Sequence, residues 1–330
     1  MRLTCQRGLS ISRLLKNRTI DVKKIILSTK YEHASPTESP KNSKPAESAS
    51  KIKKYTKKPT PVWYSLNEMY NASYAKPTTS ELNSVNRFFN SSKIQYEWSA
   101  AHFADVPGEK IKNKLNTDGA GNKKFHGKTY VPFELVNGLP EIAFLGKSNA
   151  GKSTLLNSLT TDLKQTELGE YAKASKRAGF TKTLNSFNVG KKLRIVDTPG
   201  YGFNSSVEQG DLTMEYVQQR QQLVRCFLLI SGEQNIGKLD YQIIEFLSSK
   251  GIPFEIVFTK MDKITNSEKF MLSTQNMKLS NLPGLPGIIF TNSVTSKNCP
   301  KRYGIDLLRH LIFQCCGLSR DSIPSHNGNT

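Results

Sequence analysis

The chain has 330 residues, with 47 Lys and Arg against 27 Asp and Glu, a formal net charge of +20. That length suits one domain with extensions, or two. No apolar run is long enough to span a bilayer, and five cysteines without a C-x-x-C pair argue against both a zinc site and a disulfide framework. Residues 1–60 alone hold 15 Lys and Arg and 4 Asp and Glu, so over half of the excess charge sits in a leader and linker; the remainder is compatible with an RNA-rich partner.

Arg2, Arg7, Arg13, Lys16 and Arg18 are interleaved with Leu3, Leu9, Ile11, Leu14 and Leu15, and the first acidic residue is Asp21. An Arg-rich, Ser-containing, acid-poor start is the profile of a mitochondrial transit peptide, here assigned to residues 1–33; an ordinary basic N-terminus is the alternative. Residues 34–83 read as a disordered basic linker, rich in Ser, Pro, Lys and Ala, running into an aromatic extension with Trp63, Tyr64, Tyr70 and Tyr74. Such a linker buries too little apolar surface to offset the entropy of ordering. The aromatics continue to Phe103, and packing on a neighbouring core is preferred over stacking on single-stranded nucleic acid. A short helix is expected from Ser80. The folded domain is set at residues 84–317, with a surface insertion at 105–132 around Asp118-Gly119-Ala120-Gly121 and a flexible tail at 318–330.

From Glu141 onward, short apolar runs alternate with helical stretches. Strands are expected at 141–145, 185–189, 192–197, 224–230, 253–258 and 287–292, and helices at 152–162, 212–223, 239–250, 266–279 and 304–316. This is the pattern of an α/β fold, a mostly parallel six-stranded sheet with helices on both faces. Chemistry then belongs at the carboxyl ends of the strands.

Gly146-Lys147-Ser148-Asn149-Ala150-Gly151-Lys152-Ser153 fits G-x-x-x-x-G-K-[ST] and lies between the strand at 141–145 and the helix expected at 152–162, which runs on through Thr154-Leu155-Leu156-Asn157. Backbone N–H groups and a helix N-terminus there face an anion; Lys152 reaches the β- and γ-phosphates and Ser153 ligates Mg²⁺. Leu193-Arg194-Ile195-Val196-Asp197-Thr198-Pro199-Gly200 is a strand ending in D-x-x-G. Asp197 can hold Mg²⁺ through water, and Gly200 can approach a γ-phosphate. In Thr259-Lys260-Met261-Asp262 the Asp262 carboxylate can accept from guanine N1–H and N2–H₂, a donor pair that adenine lacks, while the Lys260 stem covers the base. Gly179-Phe180-Thr181 lies in the loop before the second strand; Thr181, or else Thr183, can close on Mg²⁺ and the γ-phosphate. Asn292-Ser293 can meet the guanine edge through backbone N–H groups.

This order of motifs is that of a P-loop GTPase with a Ras-like G domain. The wording Pro140-Glu141-Ile142-Ala143-Phe144, the phosphate loop through Asn157, and Asp197-Thr198-Pro199-Gly200-Tyr201-Gly202-Phe203 closely resembles the EngB (YihA-type) ribosome-assembly GTPases of the TRAFAC class. With its leader, the chain looks like a fungal-style mitochondrial member associated with the mitochondrial ribosome. The resemblance implies a monomer that binds and slowly hydrolyses GTP. It implies Mg²⁺ at Ser153, Thr181 and Asp197, and work with the large subunit in its assembly or in translation, in the matrix or at the inner membrane through ribosomes. Three positions depart from the family pattern: Phe180 replaces an arginine, Ser231-Gly232-Glu233 replaces an Asp-x-Arg element, and Asn292-Ser293 replaces a serine pair. Tyr201 stands where a water-positioning glutamine would follow Gly200. Asn149 resembles the asparagine that ligates K⁺ in cation-dependent relatives, which makes Lys152, Thr181 and Asn149 the catalytic candidates; an asparagine satisfying its own loop is the plainer alternative. A nucleotide-binding scaffold without hydrolysis is the competing functional reading.

Overall fold

The structure, a computed structural model, describes residues 65–110, 138–173, 179–202, 205–234 and 236–319, apart from Ser73, Lys278, Pro283, Lys297 and Asn298. The transit peptide, linker residues 34–64, insertion residues 111–132, residues 174–178 of the switch loop and tail residues 320–330 lie outside the described residues.

The centre of the molecule is β2 (Glu141–Gly146), in which all six residues are buried. A continuous apolar run of this length is what a strand covered on both faces requires. It pairs in parallel with β4 (Leu193–Asp197) and β5 (Leu223–Ser231). Beyond β5 lie β6 (Phe254–Thr259) and β7 (Ile288–Phe290), also parallel. On the other side β3 (Leu184–Val189) runs antiparallel to β4. The helices are α1 (Leu66–Tyr70), α2 (Thr79–Ser91), α3 (Lys152–Thr160), α4 (Val207–Gln219), α5 (Lys238–Ser249), α6 (Ser267–Asn276) and α7 (Ile305–Cys315). Two buried clusters cover the two sheet faces. One gathers Tyr216, Leu239, Ile243, Phe246 and Phe270 from α4, α5 and α6; the other gathers Phe88, Phe89, Leu155, Leu159, Leu308 and Ile312 from α2, α3 and α7.

The sheet has seven strands rather than six, in the order β1-β3-β4-β2-β5-β6-β7. The added strand, β1 (Ile94–Ala100), runs antiparallel along β3, with the register shifted by a bulge between Tyr96 and Trp98. The bulge breaks the period-two alternation, which is why the segment read as packing aromatics. Order also begins before residue 84: α1 buries Leu66 and Asn67, and Thr78 with Glu81 forms a capping box that starts α2. Residues 65–83, within the aromatic extension, are thus ordered against the core. Helix α4 starts five residues ahead of the expected 212, because Ser206 and Gln209 cap it reciprocally.

At the amino end of β2, far along the strand from the phosphate loop, charges are buried together. Arg220 donates from Nε to Glu141 Oε2 at 2.8 Å and from Nη2 to Oε1 at 2.7 Å. The Tyr216 hydroxyl adds a bond to Oε2 at 2.7 Å, and Arg194 Nη1 lies 3.7 Å from Oε1. Arg194 Nε in turn reaches Glu97 of β1 at 2.5 Å, and Arg220 Nη1 donates to Pro107 O at 2.9 Å. A second arginine pair closes the C-terminal end of α3. Arg309, fully buried, donates to Leu159 O at 2.9 Å and Thr161 O at 2.8 Å, and Arg302 donates to Ser158 O at 2.8 Å. These carbonyls have no partners within the helix, and the negative end of its dipole favours cations.

Candidate functional site

The strand, loop and helix around Gly146–Ser153 adopt the expected arrangement. The loop turns through Asn149, whose φ of 65° is left-handed, a conformation that asparagine tolerates better than most residues. It is strapped to its neighbours on two sides. Ser148 N–H donates to Tyr201 O at 3.1 Å and Tyr201 N–H to Gly146 O at 3.3 Å, so the segment after β4 lies along the loop. Gly200 is obligatory at that crossing: a Cβ there would fall 2.8 Å from both Cα and N of Ser148. From the other side, Thr259 at the end of β6 donates to Ala150 O at 2.7 Å; on the β4 side, Thr198 Oγ1 donates to Phe144 O of β2 at 2.7 Å.

Lys152, Ser153 and Asp197 come together as expected. Ser153 Oγ donates to Asp197 Oδ2 at 2.6 Å. Lys152 Nζ donates to Gly146 O at 3.0 Å and Lys147 O at 3.2 Å. Burial pulls the Lys152 ammonium down to about 8, a fall that the nearby Asp197 partly opposes. Burial pushes the Asp197 carboxyl up, while Lys152 and the Ser153 hydrogen bond pull it back. Asp197 Oδ1 is buried with no hydrogen-bond partner among the described residues. A hydroxyl and a carboxylate with one oxygen still unmet form a hard, all-oxygen donor set that fits Mg²⁺. The arrangement can therefore hold a polyphosphate: donors and a cation face it, and a carboxylate waits for a divalent ion.

The electrostatics give a pH dependence with a definite sign. A phosphate chain beside the Lys152 ammonium would raise its pKa above about 8, so binding above that pH takes up a proton. Affinity should be flat below pH 8 and should fall as pH rises beyond it, approaching about tenfold per pH unit. Nucleotide titrations from pH 6.5 to 9.5 check this; the Lys152→Ala variant should lose the slope.

Two contacts were not legible beforehand. Lys147 Nζ forms an ion pair with Asp240 Oδ2 at 2.8 Å, and the same oxygen accepts from Gly237 N–H at 2.8 Å. The Tyr201 hydroxyl is buried with no hydrogen-bond partner among the described residues, and burial followed by the Asp240 charge pushes its pKa far up. Asp240 sits in the first turn of α5; only its place three residues after Gly237 could have flagged it as a cap.

At the other end of the site, Lys260 takes a left-handed φ of 54° and its Nζ lies 2.9 Å from Glu233 Oε2. The Ser231-Gly232-Glu233 departure thus acquires a local role, tethering the lysine stem. Gly232 N–H also donates to Thr259 O at 2.8 Å. Asp262 follows in a short 3₁₀ turn, Met261–Lys263, its pKa raised by partial burial. Met261 N–H reaches Thr291 O at 3.4 Å, which joins this turn to Asn292 and Ser293. Asn292 exchanges backbone hydrogen bonds with Tyr303 at 2.9 and 3.1 Å, and its side chain donates to Val294 O at 2.8 Å.

The switch loop is the part not gathered in. Thr181 is half-buried ahead of β3 and makes no hydrogen bond to Ser153 or Asp197 among the described residues. Phe180 beside it is 47% exposed. Thr183 is already engaged, accepting from Ser99 at 2.8 Å and donating to Asn185 at 3.2 Å, which leaves Thr181 as the threonine able to move.

Comparison with known proteins agrees with this geometry. A family model described as 50S ribosome-binding GTPase matches residues 141–260. MIOREX complex component 8 of Saccharomyces cerevisiae is 48% identical over 268 residues, covering 81% of this chain and 84% of that protein. The probable GTP-binding protein EngB of Cytophaga hutchinsonii is 35% identical over 165 residues, 48% of this chain and 80% of its own length. The EngB protein of Rickettsia prowazekii is 38% identical over 182 residues, 54% of this chain and 79% of its own. Phosphate loop, guanine motif, parallel sheet and relatives agree: the chain belongs to the EngB family of GTP-binding proteins, and is a GTPase.

Proposed function

We propose that this protein is a slow mitochondrial GTPase that works with the large subunit of the mitochondrial ribosome, in its assembly or in translation. The observation that carries the enzymatic part is the Ser153–Asp197 bond at 2.6 Å beside buried Lys152. Lys152 and the loop N–H groups from Ser148 to Thr154 bind the β- and γ-phosphates. Ser153, Asp197 and Thr181 hold Mg²⁺, which when bound neutralises charge on the phosphate oxygens. Gly179 and Phe180 bring Thr181 in, Thr198 and Pro199 position Gly200, and Gly200 lets the backbone approach the γ-phosphate. Thr259, Lys260, Met261, Asp262, Asn292 and Ser293 select guanine.

Water attacks the γ-phosphorus, the bond to the β-bridging oxygen breaks, and GDP and phosphate leave. Tyr201 cannot position that water, because its hydroxyl is buried under α5 with 2% of the residue exposed. Intrinsic turnover is therefore slow, and the ribosome completes the site. Asn149 in the phosphate loop would be one ligand of a K⁺ ion, which when bound would supply the positive charge that an arginine finger supplies elsewhere. The mitochondrial and ribosomal parts rest on the basic sequence, the resemblance of MIOREX complex component 8 and the 50S ribosome-binding family.

The test is GTP turnover by the purified protein in KCl and in NaCl, with and without mitochondrial large subunits. GTP-selective turnover should rise about tenfold or more with subunits and K⁺, and Asn149→Ala should lose the K⁺ preference. Tight guanine binding without turnover under any condition would favour the scaffold reading instead.

A further inference from the structure

Helix α1 lies on the free edge of β7, and it does so through two asparagines one turn apart. Asn67 Nδ2 donates to Phe290 O at 2.9 Å, and Phe290 N–H donates back to Asn67 Oδ1 at 2.7 Å. Asn71 repeats the pattern on Ile288, at 2.7 Å to the carbonyl and 3.4 Å from the N–H. Each side-chain amide acts as a piece of the missing next strand, satisfying an edge that would otherwise be open. Tyr70 packs its ring 5.3 Å from that of Phe290.

The two asparagines differ in what else they hold. Asn67 is buried, 5% exposed, and also hydrogen-bonds the Tyr303 side chain. Gly304 packs against Phe290 O and Asn67 Nδ2, so that a Cβ there would collide with the carbonyl. Phe290 is the residue entering the loop that carries Thr291, Asn292 and Ser293, and Tyr303 is the residue leaving it, paired with Asn292. Both stems of that loop therefore meet on one side chain from the other end of the chain.

We propose that Asn67 is a positioning residue for guanine recognition, acting through Phe290 and Tyr303 to hold the Asn292–Ser293 loop, so that α1 sets the rate of nucleotide release. This rests on the reading that the loop faces guanine. With α1 docked the loop is pre-organised and release is slow. Any partner that draws residues 65–71 off β7 frees both stems together and speeds exchange.

The test is dissociation of fluorescent GDP from the full-length protein, chased with excess GDP. Asn67→Ala should speed release about tenfold, roughly the net contribution of a hydrogen bond to a well-ordered loop. Asn71→Ala removes an equivalent pair from the same edge, should lower the melting temperature similarly, and should change release less than twofold. Tyr303→Phe, which keeps the ring, should speed release about twofold to threefold and decides the question if Asn67→Ala does not fold. Release within twofold of wild type in Asn67→Ala, or equal acceleration by Asn71→Ala, overturns the inference and makes α1 a stabilising strap only. An Asp262→Asn variant separates the two layers. If it moves preference from guanine to xanthine nucleotides, the base site stands and the Asn67 result bears on positioning alone; if preference is unchanged, the guanine reading falls and the inference with it.

Discussion

Replacing Lys152 with alanine is expected to lower affinity for GTP and GDP by about 100-fold or more while leaving the fold standing. Fluorescent-nucleotide titration read beside circular dichroism checks both halves. Lys152 is 6% exposed and its ammonium donates to Gly146 O and Lys147 O. Those carbonyls carry only partial charge, and desolvation has already lowered the pKa to about 8. The lysine is therefore held in an unfavourable environment that a phosphate chain relieves, so much of its interaction energy appears only on binding. Alanine removes that gain; for folding it deletes two hydrogen bonds but also a desolvated cation, and these two effects oppose each other. An equally strong loss of folding would mean that the ammonium holds the loop together.

Arg220→Ala is expected to have the largest effect on stability, about 3–5 kcal/mol by urea unfolding. The change leaves Glu141, 0% exposed, with a tyrosine hydroxyl and an arginine 3.7 Å away as its partners. It also releases Pro107 O, which ties the segment after β1 to the sheet. Removing both charges should be far milder than removing one: Arg220→Met combined with Glu141→Gln should recover a substantial part of the loss, because the penalty comes from an uncompensated buried charge. Nucleotide affinity should change little in either variant that folds, since the cluster lies at the opposite end of β2 from Gly146. A double variant no more stable than Arg220→Ala would show that the cluster is needed for the geometry of the fold.

The geometry around Gly146–Ser153 was legible because it is local. Gly146 to Ser153 is one uninterrupted loop, and Asp197 ends a strand whose five residues are all buried, so pattern and position coincide. The strand end and turn at Thr259–Asp262 were legible for the same reason. What escaped depends on residues distant in sequence. The Lys147–Asp240 pair spans 93 positions, and neither residue has a neighbour that announces it. Glu141, Arg194 and Arg220 looked like stray charges bordering apolar runs, and only the fold makes them partners. Asn67 and Asn71 have helical spacing, but nothing in five residues of helix marks an amide as a substitute for a strand. The seventh strand was hidden by its bulge, and the early start of α4 was signalled only by Ser206 and Gln209, a capping pair that lies ahead of the apolar run beginning at Leu212.

The path of residues 65–100 has a consequence for how the molecule assembles. Asn67 bonds Phe290 across 223 positions, while Ser99 at the far edge of the sheet meets Thr183 across 84. Between them α2 crosses one face, where Phe88 packs 5.5 Å from Phe313 of α7. A ribosome makes these residues ahead of the rest of the folded domain, yet α1 must wait for β7, and α2 for its partner α7, until the last strand and helix have emerged. Contacts of such separation form late because the loop they close must be ordered first. During that interval Phe88 and Phe89 are exposed on an amphipathic helix, an aggregation hazard typical of late-docking segments. The segment that completes both edges of the sheet is thus made early and locked last, and the nascent chain must be kept from its neighbours until its own C-terminal end arrives.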